Sequence, residues 1–197
     1  MGFVKARFVI FPFEEVCLNN LIVFTGGPGS GKTSVIEALK SRGYRCAPEV
    51  GRKVIQHQVE RKGSALPWLD KAAFRDEMVR EELTNYQAFE SSEQRVFFDR
   101  SIVDSYGYSL LEALPISESL LNQCNELEYN NKVFIFPPWD SIFINDEERK
   151  QDFNEAIATY EKMVTAYTQF GYQLVEVPKL SIEDRVEFIL ASFNSGE

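Results

Sequence analysis

The chain contains a single histidine, His57, and only three cysteines, Cys17, Cys46 and Cys124. One imidazole without a second cannot build the multi-nitrogen metal sites that histidines usually serve. On a predicted helix it reads as an ordinary core or surface residue. Three widely spaced cysteines make neither a disulfide framework nor a zinc cluster; they read as small buried side chains in a reducing cytoplasm. Long apolar runs are also missing, and none reaches the length of a membrane span. A basic excess is lacking: 21 Lys and Arg stand against 30 Asp and Glu, a formal charge of −9. That balance argues against nucleic acid as a bulk partner. The N-terminal "MGFVKARFVIFPFEEV" is short, broken by charge and without a small-residue cleavage site, so no signal peptide is expected. Ala6 stands where a myristoylation motif requires Ser or Thr. A cytoplasmic protein is expected.

Repeats, low-complexity tracts and linkers are absent as well. What remains is 197 residues at 44% apolar content, enough for one α/β domain with a real core. Short apolar runs predict strands at 21–25, about 44–48, 95–99, 132–136 and 173–177, the pattern of a parallel sheet covered on both faces. Helices are expected between them. The first carries Val35, Ile36 and Leu39 on one face and stops at Gly43. A second covers about 50–61, and a third about 71–90, with Asp70 as N-cap and Phe74, Met78, Leu83 and Tyr86 inward. A long helix carries Phe153, Ile157, Tyr160, Val164 and Tyr167, capped by Asn145 or Asp146 and ended by Gly171. Ser181 caps the last, with Glu183 and Asp184 in its first turn. The first twenty residues fall outside this alternation, as an N-terminal extension or an extra edge strand. The rest, 21–197, reads as one doubly wound domain.

Between the first strand and first helix lies "GGPGSGKTS", residues 26–34. It matches G-x-x-x-x-G-K-[ST] in full, in the strand–loop–helix context that motif demands. Glycines let backbone N–H groups wrap a polyphosphate without an obstructing Cβ, and the helix N-terminus adds its dipole. Gly27, Pro28, Gly29, Ser30, Gly31 and Ser34 form the cradle. Lys32 places a mobile charge on the outer phosphates, and the Thr33 hydroxyl is a ligand for Mg²⁺.

Two further stretches end strands at the same sheet edge. "FFDRS" puts Asp99 where it would hold Mg²⁺ and Arg100 where it would grip a phosphate or an acceptor. "PEVGR" puts Glu49 and Arg52 on one side of a helix start. Glu49 there is a candidate base for an acceptor hydroxyl, and Arg52 would orient that acceptor. The competing readings are a helix cap for Asp99 and a surface ion pair for Glu49 and Arg52. Trp68, in "SALPWLD", could cover an acceptor pocket or simply anchor packing. Trp139 and Asp140 follow a strand's carboxyl end, where substrate contact is one option.

The segments "VFTGGPGSGKTSVIEALKSRGYRCAPEVGRKVI", "FFDRSIVDSYGYS" and "YQLVEVPKLSIEDRVEFIL" together resemble the AAA-type ATP-binding family that includes the ribosylnicotinamide kinase domain of the bifunctional NAD-biosynthesis regulator. The resemblance spans about 21–190. It implies a P-loop NTPase three-layer fold with a five-stranded parallel sheet of order 2-3-1-4-5, and ATP with Mg²⁺. By the same resemblance and by placement, 141–152 is a lid whose Arg149, with Lys150, swings onto the transferring phosphoryl group, the competing reading being a solvated helix start with intra-helical ion pairs; Pro178 and Lys179 border the adenine. No Asn-Lys-x-Asp signal for guanine is present, which favours ATP. The expected activity is a small-molecule kinase that transfers the ATP γ-phosphate to a nucleoside-like or other small hydroxyl acceptor. The alternatives are a plain ATPase and a nucleotide-dependent switch. Oligomeric state is left open, a homodimer included.

Overall fold

The computed structural model describes residues 20–143 and 152–193. Cys17, Asn145, Asp146, Arg149 and most of the expected N-terminal extension and lid lie outside the described residues. Within them the chain alternates strand and helix: β1 (Leu21–Gly26), α1 (Lys32–Ser41), β2 (Arg45–Cys46), α2 (Val50–Arg61), α3 (Lys71–Phe89) and β3 (Val96–Asp99). There follow α4 (Ile102–Leu111), α5 (Glu118–Glu126), β4 (Lys132–Phe136), α6 (Phe153–Gln169), β5 (Gln173–Glu176) and α7 (Ile182–Ala191). The strands form one sheet of order β2-β3-β1-β4-β5, parallel throughout. This is the P-loop order that the resemblance implies.

Side-chain alternation along the strands divides the core in two. Leu21, Val23, Val96 and Phe98 face one side, where they meet Ile102 and Tyr106 of α4, Leu120 of α5 and Met163 and Tyr167 of α6. Ile22, Phe24, Phe97 and Phe134 face the other and pack on Val35 and Leu39 of α1 and Val186 and Ile189 of α7. Helices on both faces explain why each strand reads as an unbroken apolar run. A third, smaller cluster stands apart: Val50 and Val54 of α2 with Phe74 of α3, backed by Ile55, Met78 and Tyr108.

The register fixes what lies at the carboxyl edge. Phe24 pairs with Asp99, and Gly26 pairs with Phe136. The end of β3 is therefore level with the start of the glycine loop.

Several expectations need correction. The second strand has two residues rather than five, although the Ala47 N–H still bonds the Phe97 carbonyl at 2.8 Å. Helix α6 starts at Phe153, capped by Asp152 in a capping box with Glu155; the cap is not Asn145 or Asp146. Ile157 of that helix is exposed, while Ala156, Thr159, Met163, Ala166 and Tyr167 are buried. On α3, Asp70 caps by accepting from the Ala73 N–H. The buried side chains of α3 are Phe74 together with Arg75, Glu82 and Asn85, so its inner face is largely polar. Met78, Leu83 and Tyr86 are only half-buried. Ser181 caps α7 by accepting from the Asp184 N–H.

Candidate functional site

The glycine loop runs directly from β1 into α1. Gly26, Gly29 and Gly31 have φ of 126°, 69° and 83°, the left-handed region where a side chain is costly. Close approach adds a second reason for glycine. A Cβ at Gly27 would lie 2.4 Å from the Ala156 carbonyl oxygen of α6. The ammonium of Lys32 is folded into the loop, donating to the carbonyls of Gly26 at 3.2 Å and Gly27 at 2.8 Å and to Ser30 Oγ at 3.3 Å. Ser30 Oγ in turn donates to the Gly27 carbonyl at 2.9 Å. The cation therefore sits at the centre of the cradle.

A cavity of about 500 Å³ opens from this loop. Its lining includes residues 29–34 together with Asp99, Trp139, Leu180, Ser181, Ile182 and Arg185. Pro178 is half-buried and Lys179 exposed; neither is among the lining residues, which begin at Leu180 in that loop. His57 is exposed on α2.

Arg185 is the residue that sequence reasoning missed. It is 4% exposed and has no carboxylate partner among the described residues. Its Nη1 donates to the Ser30 carbonyl at a long 3.5 Å, its Nε has no partner, and its guanidinium lies 5.4 Å from the Trp139 ring centroid. Burial pulls its pKa down. No local signal marked it: Glu183, Asp184 and Glu187 lie within two residues and make it read as a surface arginine.

Asp99, at the end of β3, is 7% exposed. Burial raises its pKa, opposed by Lys32 and Arg100 and reinforced by Glu49 and Asp104. The next residue, Arg100, has φ 79°, a strained conformation for a non-glycine residue that concentrates at functional sites. The pairing of its N–H with the Phe24 carbonyl at 2.9 Å holds it there. Its Nη1 donates to Asp104 Oδ1 at 3.0 Å. Burial disfavours the Arg100 charge, but Asp104 and Asp99 outweigh it and the pKa rises.

Asp104 ties the edge together. Oδ1 also accepts from Thr25 Oγ1 of β1 at 2.6 Å, and Oδ2 accepts from the Ser101 N–H at 3.0 Å and from the Tyr167 hydroxyl of α6 at 2.5 Å. One carboxylate thus joins β1, α4 and α6.

Glu49 occupies the N-cap position of α2, and its Oε2 lies 3.6 Å from Arg52 Nε. Beyond them is a second cavity, also of about 500 Å³. Trp68, Phe74 and Met78 form part of its wall, and Glu82 of α3, Tyr108 of α4 and Glu155 of α6 contribute as well. Glu49, Arg52 and Arg100 line both cavities. The three charged residues expected to act on an acceptor therefore stand where the two spaces meet.

Among the described residues no cluster of three or more His, Cys, Asp and Glu could hold a metal by itself, and no helix is long and apolar enough to cross a membrane. Thr33 and Asp99 both line the loop cavity. Two hard oxygen ligands beside a phosphate site fit Mg²⁺, which usually takes its remaining ligands from phosphate and water.

No curated protein matches the sequence. Solved structures do match in fold. A deoxyadenosine kinase from M. mycoides with dCMP and dCDP bound is 14% identical, covers 90% of this chain and 100% of its own, and superposes with a TM-score of 0.60. NadR in complex with NR is 16% identical over 90% of this chain, with a TM-score of 0.63; the match spans 50% of the NadR chain. Thymidylate kinase from Ehrlichia chaffeensis is 17% identical over 88% of this chain and 97% of its own, with a TM-score of 0.57. At such identities the likeness is one of fold. The sequence itself matches the model of an AAA domain family over residues 21–185, and the chain belongs to that family.

Proposed function

We propose that this chain is a P-loop phosphotransferase that moves the γ-phosphoryl group of ATP onto a hydroxyl of a small, nucleoside-like acceptor. The observation that carries this reading is the pair of cavities joined at Glu49, Arg52 and Arg100. A nucleotide laid along the glycine loop ends its phosphates at that junction, and an acceptor in the second cavity meets them there. The similar folds include kinases of deoxyadenosine and thymidylate, which supports the assignment.

The nucleotide's phosphates are held by the loop amides, and Lys32 neutralises the β- and γ-phosphates. Arg185 supplies a second cation from α7, and Trp139 with Leu180 and Ile182 offers apolar surface for the base. Thr33 and Asp99 would hold Mg²⁺, which would supply positive charge against that of the phosphates. Glu49 accepts the proton of the acceptor hydroxyl. The acceptor oxygen forms the new bond to the γ-phosphorus as the bond to the β-phosphate oxygen breaks and ADP leaves. Arg52 and Arg100 orient the acceptor, so that catalysis is chiefly positioning and charge stabilisation. Arg149 lies outside the described residues and keeps the role of lid cation as a proposal.

The test is the fate of a labelled γ-phosphate with Mg-ATP and a panel of nucleosides, nucleoside monophosphates and ribosylnicotinamide. Label on one compound supports the kinase and identifies its acceptor. Label released only as phosphate, or retained on ATP, refutes it in favour of an ATPase or a nucleotide-dependent switch. In the kinase, Glu49→Gln lowers turnover by about 10²–10⁴-fold and leaves nucleotide affinity unchanged.

A further inference from the structure

Glu82 projects from the middle of α3 into the second cavity. It is 3% exposed and makes no hydrogen bond or ion pair among the described residues. Buried carboxyls are almost always partnered, so one left alone in a cavity wall calls for an explanation. The hydroxyl of Tyr108, in the same wall, is also buried without a partner.

The nearby carboxylates Asp104 of α4 and Asp99 of β3 oppose its ionisation, as does Glu81 beside it on α3, whereas Arg100 favours the charged form. Burial dominates, and the Glu82 pKa lies well above the ordinary carboxyl value. The Tyr129 hydroxyl, also facing Glu82, has its own pKa pushed up chiefly by burial. Glu49 and Arg52 of α2 and Glu155 of α6 line the same space. A carboxylic acid presents one donor and one acceptor side by side, unlike a carboxylate, which only accepts.

The cavity's cations are already engaged. Arg52 faces Glu49 at 3.6 Å, Arg100 bonds Asp104 at 3.0 Å, and Lys71 pairs with Glu112. Glu82 and Glu155 remain as acids in excess of these pairs. A phosphorylated acceptor would have to break existing ion pairs and lie among carboxyls.

Resting on the kinase reading above, we propose that Glu82 is the specificity residue of this cavity. Its carboxyl meets the adjacent donor and acceptor atoms of an uncharged edge, a carboxamide or an amino-substituted nitrogen heterocycle, and acceptors already carrying phosphate are excluded.

The experiment is calorimetric binding to the full chain saturated with ADP, using cytidine, adenosine, nicotinamide riboside, CMP and AMP as probes, between about pH 6 and pH 9. At least one of the first three is expected to bind, at least tenfold tighter than CMP or AMP. Glu82→Gln, which keeps a donor beside an acceptor, retains that affinity. Glu82→Leu loses about tenfold or more, the cost of one buried hydrogen-bonding partner, with ADP affinity unchanged in both. Tighter binding of a monophosphate, affinity that rises with pH, or full affinity in Glu82→Leu would overturn the proposal. So would ADP binding with none of the probes, in which case the nucleotide site stands and the acceptor assignment fails. Absence of ADP binding would instead remove the kinase reading itself.

Discussion

Replacing Arg185 by Met separates two roles that a buried arginine can have. Arg185 is 4% exposed, and the cost of stripping water from its guanidinium is several kcal/mol. Little offsets that cost. The 3.5 Å contact to the Ser30 carbonyl is at the limit of a hydrogen bond and contributes at most about 0.5–1 kcal/mol. The Trp139 contact at 5.4 Å adds about 1–2 kcal/mol when desolvated. Met preserves the apolar stem and removes the charge, so the free protein should gain roughly 1 kcal/mol, or about 2–4 °C in Tm. Nucleotide binding should respond in the opposite sense. A charged hydrogen bond to phosphate is worth about 1.5–3 kcal/mol, so the Kd for ATP or ADP should rise by about 10–150-fold. Thermal melts with and without ADP, followed by a titration monitored through Trp139 fluorescence, read both quantities. A variant less stable than wild type with unchanged nucleotide affinity would refute the reasoning and make Arg185 a packing anchor.

Other expectations follow from particular contacts. Gly27→Ala places a methyl 2.4 Å from the Ala156 carbonyl; backbone must move on one side, and stability should fall by about 1–3 kcal/mol, measured by denaturant unfolding. Asp104→Ala strands Arg100 and releases Thr25, Ser101 and Tyr167. Breaking such a buried pair costs about 3–5 kcal/mol and should lower Tm by about 6–20 °C; a smaller loss would mean that the network is not structural. Glu82 has a folded pKa raised above its ordinary 4.5, so the folded state holds a proton that the unfolded chain releases. Its contribution is greatest below that ordinary value and declines as pH climbs toward the folded one. Glu82→Gln abolishes the decline, and its Tm relative to wild type should be higher at about pH 8 than at about pH 5.

The glycine loop and the strand ends were legible because their signals are local. The motif, Asp99 at the end of β3 and Glu49 before α2 depend on residues adjacent in sequence. The caps Asp70 and Ser181 depend on one side chain and an N–H three residues on. The second cavity was not legible, since its walls come from α2, α3, α4 and α6 and no periodicity marks their meeting. Glu82 was masked by its setting in "VREELTN", where a charged run on a helix reads as solvated surface. Arg75 misleads in the same way: its buried guanidinium bonds Ser109 Oγ and the Pro115 carbonyl, more than thirty residues away. Strand β2 is short because only Arg45 and Cys46 pair with β3, although Tyr44 still packs on the Phe97 ring and the Ala47 N–H bonds the Phe97 carbonyl.

The small cluster of Val50, Val54 and Phe74 gives α2 and the start of α3 an apolar interior of their own, distinct from the two layers that clamp the sheet. In the kinase reading, the phosphate loop and much of the acceptor wall would then rest on separate packing, and substitutions around that cluster would leave untouched the α1 start that carries Lys32 and the β3 end that carries Asp99. For an engineer, the proposed kinase would be a scaffold whose acceptor preference could be rewritten by changing α2, α3 and the connection bearing Trp68, with the phosphate loop left as it stands.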